Sequence, residues 1–426
     1  MISPARKLAY RFLSQIEARQ IFSDDALHSD AMKRLAIRDR HLTTEVVYGT
    51  LRWQELLDHM SNGASSRPLH EVEPGARILL RMSVYQMWQM DRIPDHALVN
   101  DAVELAKREL GKGIDRYLNG VLRNLARTRP WKRKEFLKDA PPWVRLSLPK
   151  WLWERWASRF GEAAAADFAA SLNHPPQAAF RLGNEHGSAA AAIRSDLVPG
   201  AGIRPVSASD EGRRLEYQDE ASQLMPHLLG AISNWRVWDA CAAPGGKSAI
   251  LSSLVGRSGR VVSSDAREER LARMAALAKV SASRNRDLLV ADASEAAPFR
   301  CSFDAVLADV PCSGLGTLRR NPEIKWHFKP ESLLSLQEMQ KRIVCAVSQT
   351  VRPGGRLLYS TCSTEPEEDE EVIQSFLRAH RDFRLLPPDS PPGIERWTGS
   401  DGMVRTFPST RLWDGFFAAL MIRFEH

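Results

Sequence analysis

The chain has 426 residues, of which 43% are hydrophobic and 26% charged, a composition typical of a folded protein of two or three domains. It contains no run of about 18 apolar residues that could span a membrane, and its N-terminus lacks the apolar core of a secretion signal. The five cysteines form no Cys-x-x-Cys pair, which argues against a zinc site or a disulfide framework. We therefore expect a cytoplasmic protein without a bound metal.

The net charge of +7 is unevenly distributed. Between Lys112 and Lys138 there are nine basic residues and two acidic ones. Such a concentration is expected of a protein that contacts phosphate groups. A solvated helix face would show the same pattern, so the charge alone leaves both interpretations open.

Residues 1–130 carry apolar side chains at helical spacing, as in the segment Leu79–Trp88. Turn-forming residues interrupt this pattern at Ser61-Asn62-Gly63, Pro94 and Gly111-Lys112-Gly113. Several helices joined by short turns are therefore predicted, and they would form a helical bundle.

Residues 141–230 have a mixed pattern that predicts a small α+β region. It contains a helix at Ala163–Ala170 and short strands near 178–182 and 214–217. Four tryptophans, Trp143, Trp151, Trp153 and Trp156, lie close together in the sequence. They could stack on bases, but such a cluster more often forms an apolar surface that docks one domain on another, and we expect that use here.

From Arg236 onward, strands and helices alternate, which is typical of a doubly wound, mostly parallel sheet of the Rossmann type. The predicted strands are 236–240, 259–264, 287–291, 303–308 and 355–360. The predicted helices are 247–255, 267–280, 332–351 and 366–379. The C-terminal segment Gly415–Ile422 is expected to add an edge strand.

A glycine-containing loop, Asp239–Ser248, follows the first of these strands and opens a helix. Gly245 and Gly246 would let the backbone approach a ligand closely, because no Cβ stands in the way. Asp265 ends the next strand, 19 residues after Gly246, the spacing at which an acid binds ribose hydroxyls. Asp292 follows the third strand, where a carboxylate could meet an adenine edge. These residues predict a nucleoside-binding site.

The same loop partly matches a phosphate-binding Walker element. Gly246-Lys247-Ser248 fits the end of that motif, and Phe303–Asp309 could serve as its metal-binding strand. Cys241, however, stands where the motif requires its first glycine. A P-loop NTPase is therefore the second interpretation.

Two cysteines follow neighbouring strands: Cys312 shortly after Asp309, and Cys362 after the next strand. The carboxyl ends of parallel strands meet at one edge, so the three side chains should converge there. A thiolate that adds to carbon 6 of cytosine makes carbon 5 nucleophilic enough to accept a methyl group. An acid near ring nitrogen 3 would supply the proton that stabilises this adduct, and Asp309 is placed for that role. A second thiol could assist release of the product.

At these residues the chain resembles the RNA cytosine-5 methyltransferases of the RsmB/Nop2/Sun family. The N-terminal region resembles the NusB-like RNA-binding domain that precedes the catalytic domain in the bacterial small-subunit ribosomal RNA enzymes. The similar segments are Asp239–Lys247, Asp309–Gly314, Ser360–Ser363, Arg319–Trp326, Gln218–Ser222, Asp414–Phe417, Tyr48–Arg52, Arg92–His96 and Leu118–Arg123.

The resemblance implies S-adenosylmethionine as cofactor and assigns the roles of the site residues. Cys362 corresponds to the nucleophile and Cys312 to the cysteine that aids product release. The cofactor would be bound by Cys241, Ala242, Ala243, Pro244, Gly245, Gly246, Lys247, Asp265, Asp292 and Asp309.

The implied organisation is a NusB-like helical domain at 1–140, a linker and small RNA-recognition subdomain at 141–230, and a methyltransferase domain at 231–426. The expected substrate is an unpaired or flipped-out cytosine of small-subunit (16S) ribosomal RNA, and the protein is expected to be a monomer. The basic segment Arg319–Lys325 is expected to contact phosphates, and Trp326 to stack on a base or to lie in the core. A non-catalytic RNA-binding assembly factor is a third interpretation.

Overall fold

The structure is a computed structural model, and it describes residues 2–133, 135–181, 193–203, 216–278, 285–299, 302–407 and 413–424. The chain forms two compact units. The helical unit consists of Met1–Pro175 and Leu318–His327, and the α/β unit of Pro176–Thr317 and Phe328–His426. Residues 141–175, predicted to belong to the middle region, thus group with the N-terminal helices. The predicted helix end at 279–280 and strand start at 214–215 lie outside the described residues.

The helical unit is built from helices, as the apolar spacing predicts, and they include both long helices and short ones of four or five residues. Its helices are α1 (Pro4–Glu17), α2 (Ser23–Leu27), α3 (Asp30–Lys33), α4 (Ile37–Arg52), α5 (Gln54–Asn62), α6 (Pro74–Gln89), α7 (Asp95–Glu109), α8 (Ile114–Thr128), α9 (Pro142–Arg145), α10 (Lys150–Phe160), α11 (Glu162–Leu172) and, in the inserted segment, α15 (Ile324–His327).

Helix α8 shows how the sequence pattern becomes packing. Leu118, Leu122 and Leu125, at intervals of four and three residues, are buried in the core of the helical unit, while Arg123 between them is exposed. In the following helices, Trp153 and Trp156 are also buried, and the Trp156 ring lies 4.3 Å from that of Phe168. These two tryptophans pack within the helical unit and are not free to stack on bases, while docking of one domain on another by the cluster stays a prediction.

The α/β unit contains a small antiparallel sheet and a large sheet. Its remaining helices are α12 (Glu220–Leu228), α13 (Gly246–Val255), α14 (Glu268–Ala278), α16 (Ser332–Ser348) and α17 (Glu370–Ala379). The small sheet has the order β2–β3–β1–β4 and consists of β1 (Ala179–Arg181), β2 (Ile193–Arg194), β3 (Ala201–Ile203) and β4 (Glu216–Tyr217). The large sheet consists of β5 (Arg236–Asp239), β6 (Arg260–Asp265), β7 (Arg286–Val290), β8 (Phe303–Asp309), β9 (Val351–Thr361), β10 (Phe383–Leu385), β11 (Val404–Thr406) and β12 (Phe416–Arg423).

The large sheet has the strand order β10–β12–β9–β8–β5–β6–β7. Strands β5 to β9 pair in parallel, in the order of a doubly wound nucleotide-binding sheet. Strand β12 pairs antiparallel with β9 on one side and with β10 on the other. The prediction of a C-terminal edge strand is therefore wrong, because the three-residue strand β10 was too short to be recognised from its pattern.

Side chains alternate across the large sheet and supply two separate cores. Leu307 and Leu358 lie in one core, whereas their neighbours Val306 and Leu357 lie in the other. With both faces covered, the polar residues that end the strands are left at the carboxyl edge, which is where the candidate site lies.

Candidate active site

The loop between β5 and α13 has the backbone geometry that its glycines predict. Gly245 has a φ of +107°, a left-handed conformation that side chains rarely adopt, and a Cβ there would lie 2.8 Å from Met274 Cγ. A Cβ on Gly246 would lie 2.7 Å from Gln218 Oε1. The loop is thus narrow: the backbone of Gly245 favours glycine, and a side chain at Gly246 would displace the end of Gln218.

Asp265 ends strand β6 beside this loop and is nearly buried. Its Oδ2 lies 3.3 Å from Arg270 Nη1, and its Oδ1 accepts a hydrogen bond from the backbone N of Arg267 at 3.0 Å. Arg270 also donates from Nη2 to the carbonyl of Ala243 at 3.0 Å. Arg270, which the sequence analysis did not single out, therefore joins the acid to the glycine loop.

Asp292 follows strand β7 and is exposed. Its Oδ1 accepts hydrogen bonds from the N of Ser294 at 2.8 Å and from its Oγ at 2.7 Å. These bonds, the backbone one first, lower the pKa of Asp292. The residue remains ionised and accessible at the third strand end.

Asp309 ends strand β8, and both of its carboxylate oxygens have partners. Oδ2 lies 2.6 Å from Lys247 Nζ, and Oδ1 accepts a hydrogen bond from Ser360 Oγ at 2.7 Å. Burial alone would lower the pKa of Lys247, but the Asp309 carboxylate outweighs that effect and the pKa lies above its usual value. Lys247 is therefore a cation, placed between the glycine loop and the fourth strand end.

The two cysteines converge as predicted. Cys312 Sγ and Cys362 Sγ lie 3.0 Å apart, within hydrogen-bonding distance, and the N of Cys362 donates to Cys312 Sγ at 3.3 Å. Both residues are partly exposed. The pKa of Cys312 is raised well above its usual value, first by the hydrogen bond with Cys362 and then by burial. The pair thus holds one sulfur as a thiol beside another that is available for reaction.

Two further residues of the glycine loop, Cys241 and Asp239, have pKa values shifted by burial. Burial raises the pKa of the Cys241 thiol, so this cysteine is not a nucleophile. Asp239 is fully buried, and its Oδ2 accepts a hydrogen bond from Ser248 Oγ at 2.5 Å. Asp239 consequently fixes the start of α13.

The segment Leu318–His327 leaves the α/β unit and packs within the helical unit. Arg319 and Lys325 are buried, and Lys325 Nζ donates to the carbonyls of Arg52 and Ser147, at 2.7 Å each. The expectation that these two residues contact phosphates is therefore wrong, because their side chains are buried in the unit and the Lys325 amino group donates to backbone carbonyls there.

Trp326 is partly buried in the same segment. Its Nε1 donates a hydrogen bond to the carbonyl of Leu51 at 2.6 Å. Of the two interpretations left open by the sequence, packing within the helical unit is the one that this contact supports.

The basic stretch from Lys112 to Lys138 does lie at the surface. Arg116, Arg123 and Arg127 are exposed on one face of α8, and Arg123 Nε donates to Asn119 Oδ1 at 2.8 Å. The exposed cations of this stretch are Lys112, Arg116, Arg123, Arg127, Lys132, Arg133 and Lys138. We call these residues the basic face.

Sequence reasoning missed one acid of the site, Glu368, whose carboxylate is buried and contacts Ser313 and Ser363, the residues that follow the two cysteines. It lies in the acidic run Glu365–Glu371, which reads as the solvated start of a helix. No local pattern distinguishes it from Glu371, the exposed acid that ends the same run.

Among the described residues, none of the helices is long and apolar enough to cross a membrane. Nor does the described part of the chain hold a group of three His, Cys, Asp or Glu side chains suited to a metal ion.

The α/β unit has a doubly wound sheet, a glycine loop after β5 and acids at the ends of the following strands. These features define the class of protein, which is a Rossmann-like methyltransferase. The helical unit is a NusB-like domain. Comparison with family models agrees on both parts. Residues 227–422 match the family described as 16S rRNA methyltransferase RsmB/F, and residues 3–127 match the NusB family.

The similarity extends over nearly the whole chain. The ribosomal RNA small subunit methyltransferase B of Thermus thermophilus is 33% identical, over 98% of this chain and 97% of its own length. A Bacillus subtilis protein described as "Probable ribosomal RNA small subunit methyltransferase B" is 32% identical, over 98% of both chains. The crystal structure of PH0851 shares the fold, with a TM-score of 0.81 over 99% of each chain at 24% identity. The chain belongs to the RsmB/F family of 16S rRNA methyltransferases.

Proposed function

We propose that this protein transfers a methyl group from S-adenosylmethionine to carbon 5 of a cytosine in small-subunit ribosomal RNA, with Cys362 as the nucleophile. The observation that carries the proposal is the pair of sulfur atoms 3.0 Å apart at the sheet edge that also bears Asp309. Carbon 5 of cytosine is a poor nucleophile, and a thiol is the group that can activate it by adding to carbon 6.

The cofactor is assigned to the loop Cys241–Lys247 and to Asp265, Asp292 and Asp309. The residues present fit it, since the two glycines leave the loop backbone open to close approach and the carboxylates at the strand ends suit hydroxyl and amino groups. When bound, S-adenosylmethionine supplies an electrophilic methyl group. Arg270 and Lys247 hold two of the carboxylates in place, through contacts of 3.3 Å and 2.6 Å.

In the first step, the Cys362 thiolate forms a bond to carbon 6. The electron pair of the ring double bond then becomes available at carbon 5, and the ring nitrogen 3 takes a proton. We assign the delivery of this proton to Asp309 in its carboxylic acid form, which becomes the carboxylate that Lys247 and Ser360 hold through contacts of 2.6 and 2.7 Å. Carbon 5 is now nucleophilic and accepts the methyl group.

Release reverses the addition. A base removes the proton from carbon 5, the electron pair re-forms the ring double bond, and the bond from carbon 6 to Cys362 breaks with sulfur leaving as a thiolate. Ring nitrogen 3 returns its proton to the Asp309 carboxylate. Cys312, whose raised pKa keeps it a thiol, can donate a hydrogen bond to the departing sulfur across the 3.0 Å that separates them. This assignment gives the two cysteines different tasks.

The RNA substrate must present the cytosine outside a base stack, at a cost of a few kcal/mol that is smallest for an unpaired base. The basic face of the helical unit supports RNA as the partner, because exposed arginines neutralise phosphates and release counterions. A ribosomal RNA substrate also implies action in the cytoplasm, and we propose a monomer as the active form.

Two other functions would be compatible with parts of the sequence. A P-loop NTPase would bind Mg-ATP and have no affinity for S-adenosylmethionine, but the family assignment does not favour it. A non-catalytic assembly factor would bind RNA without transferring a methyl group. The preserved cysteine pair and glycine loop are not required of such a factor.

The test uses Cys362→Ala, Cys312→Ala and the control Cys345→Ala, with labelled S-adenosylmethionine and small-subunit ribosomal RNA. Cys345 is also partly exposed, but it lies on α16 and packs against the core of the α/β unit. Its variant should therefore keep full activity. We expect Cys362→Ala to be inactive and Cys312→Ala to accumulate a covalent protein–RNA adduct. Methylation of cytosine by Cys362→Ala would contradict the thiol mechanism, and the absence of label in any RNA with the unaltered protein would favour the two other functions.

A further inference from the structure

We infer that Glu368 is a positioning residue that holds both cysteine loops with one carboxylate and thereby sets the geometry of the two thiols. The inference deepens the proposed function and rests on it for the roles of Cys312 and Cys362. Glu368 itself touches neither RNA nor cofactor in this account; it acts through the residues that it binds.

The carboxylate of Glu368 is fully buried and accepts hydrogen bonds at both oxygens. Oε1 accepts from the N of Ser313 at 2.8 Å and from Gln340 Nε2 at 3.0 Å. Oε2 accepts from Ser363 Oγ at 2.6 Å and also from Ser313 Oγ. A buried carboxylate is retained only where such bonds replace its hydration, so these contacts fix its position.

These partners bracket the reactive sulfur atoms. Ser313 directly follows Cys312, and Ser363 directly follows Cys362. Gln340 donates from the same Nε2 to the carbonyl of Pro311 at 3.0 Å, so the residue before Cys312 is held as well. Glu368 therefore links the ends of two neighbouring strands at the point where their thiols meet.

Residues other than the Glu368 carboxylate also hold the backbone around it. The start of α17 is fixed by other bonds: Thr361 Oγ1 donates to Asp369 Oδ1 at 2.5 Å, and Gln337 Nε2 to the carbonyl of Glu367 at 2.9 Å. The hydrogen bonds of the buried carboxylate go to the two cysteine loops and to Gln340. This choice of partners favours a role in the site over a role in folding.

The negative charge has a second consequence for Cys312. The titratable groups that face Cys312 are Cys362, Glu368 and Tyr359, while Lys247 faces Cys362. The four donors to Glu368 are neutral groups, so its charge is not cancelled by them. It opposes formation of a second anion and helps to keep Cys312 a thiol, the state that product release requires.

The test compares Glu368→Gln with the matched control Glu371→Gln in the full-length protein. Glu371 lies three residues further on and accepts a hydrogen bond from Gln337 at 2.8 Å, but it is exposed and bonds to neither cysteine loop. Glu368→Gln retains the shape and removes the charge. We expect a fall in kcat of about 100-fold, the loss typical of misplaced reacting groups, with an unchanged affinity for S-adenosylmethionine. Glu371→Gln should be unaffected in both.

A second measurement needs no methyl transfer and so distinguishes failure of this inference from failure of the proposed function. Iodoacetamide alkylation of Cys312, followed by mass spectrometry across pH, should have its midpoint about one pH unit lower in Glu368→Gln, because a nearby negative charge is gone. Cys345 in the same samples is the internal reference. An unshifted Cys312 profile, or the same shift in Glu371→Gln, would overturn the inference.

Should Glu368→Gln fail to fold, Ser313→Ala and Ser363→Ala each remove a hydroxyl donor to the same carboxylate. Each is expected to lower kcat about 10-fold in a folded protein with normal cofactor affinity. Full activity in both variants would show that the carboxylate does not position the thiols.

Discussion

The buried acid Asp239 should make the stability of the α/β unit depend on pH, and Asp239→Asn should remove that dependence. Burial raises the pKa of Asp239 from 3.8 to about 7, against the opposing effect of the hydrogen bond from Ser248. The folded protein therefore keeps a proton that the unfolded chain releases, and this group costs stability as pH rises from about 4 to about 7.

The size of the effect follows from the two pKa values. A shift of about three units corresponds to roughly 4 kcal/mol at pH 8, where both states are ionised. At pH 5 only the unfolded chain is ionised, and the cost is about 2 kcal/mol. An asparagine has no such cost at any pH. Its amide can still accept from Ser248, and any penalty for an unpaired NH₂ is the same at every pH.

The assay is thermal unfolding of the wild type and of Asp239→Asn at pH 5 to 8. The Tm of the variant relative to the wild type should rise by roughly 5–10 °C between pH 5 and pH 8, from the difference of about 2–3 kcal/mol. Asp287→Asn is the control, because Asp287 is an exposed carboxylate that pairs with Arg260 at 2.6 Å and contributes little at any pH. A constant or falling difference in Tm would refute the argument.

Three further predictions concern the cofactor loop, the inserted segment and the basic face. Gly245→Ala should weaken S-adenosylmethionine binding more than 10-fold by calorimetry, because the residue has a φ of +107° and the added Cβ would clash with Met274. An unchanged affinity would contradict the assignment of the cofactor to this loop. Trp326→Leu should lower the free energy of unfolding by about 1–3 kcal/mol, because the carbonyl of Leu51 loses its hydrogen-bond donor, while the affinity for RNA stays the same. A large loss of RNA affinity in the folded variant would instead indicate base stacking. Arg123→Ala should weaken RNA binding and reduce the slope of log K against log salt by about 0.7 if it contacts one phosphate of a single strand; an unchanged slope would remove it from the interface.

The α/β unit could be predicted closely because its elements are punctuated by residues with a physical reason to be there. The predicted strand at 303–308 is Phe303–Asp309 in the structure, and the predicted helix at 247–255 is Gly246–Val255. The glycine loop and the two cysteines could be placed at one edge, because parallel strands end together. Strand β10 escaped prediction, since three residues carry no recognisable period.

The contacts of charged residues could not be read in the same way. Lys325 and Glu368 each stand in a charged run that resembles a solvated surface, yet both are buried. Their partners are distant in sequence: the carbonyl of Arg52 for Lys325, and Ser313 for Glu368. Tertiary contacts of this kind leave no local pattern, so only the structure could assign these residues.

The central claim, that Cys362 attacks carbon 6 of a cytosine and that carbon 5 is methylated, can be tested by trapping. Small-subunit ribosomal RNA with 5-fluorocytidine in place of cytidine offers carbon 5 without a removable proton, so the elimination step cannot occur. With S-adenosylmethionine present, we predict a stable adduct whose cross-linked peptide contains Cys362 and whose base carries the transferred methyl group. An adduct at Cys312, or methylation of the unmodified RNA with no adduct formed on the fluorinated RNA, would contradict the account.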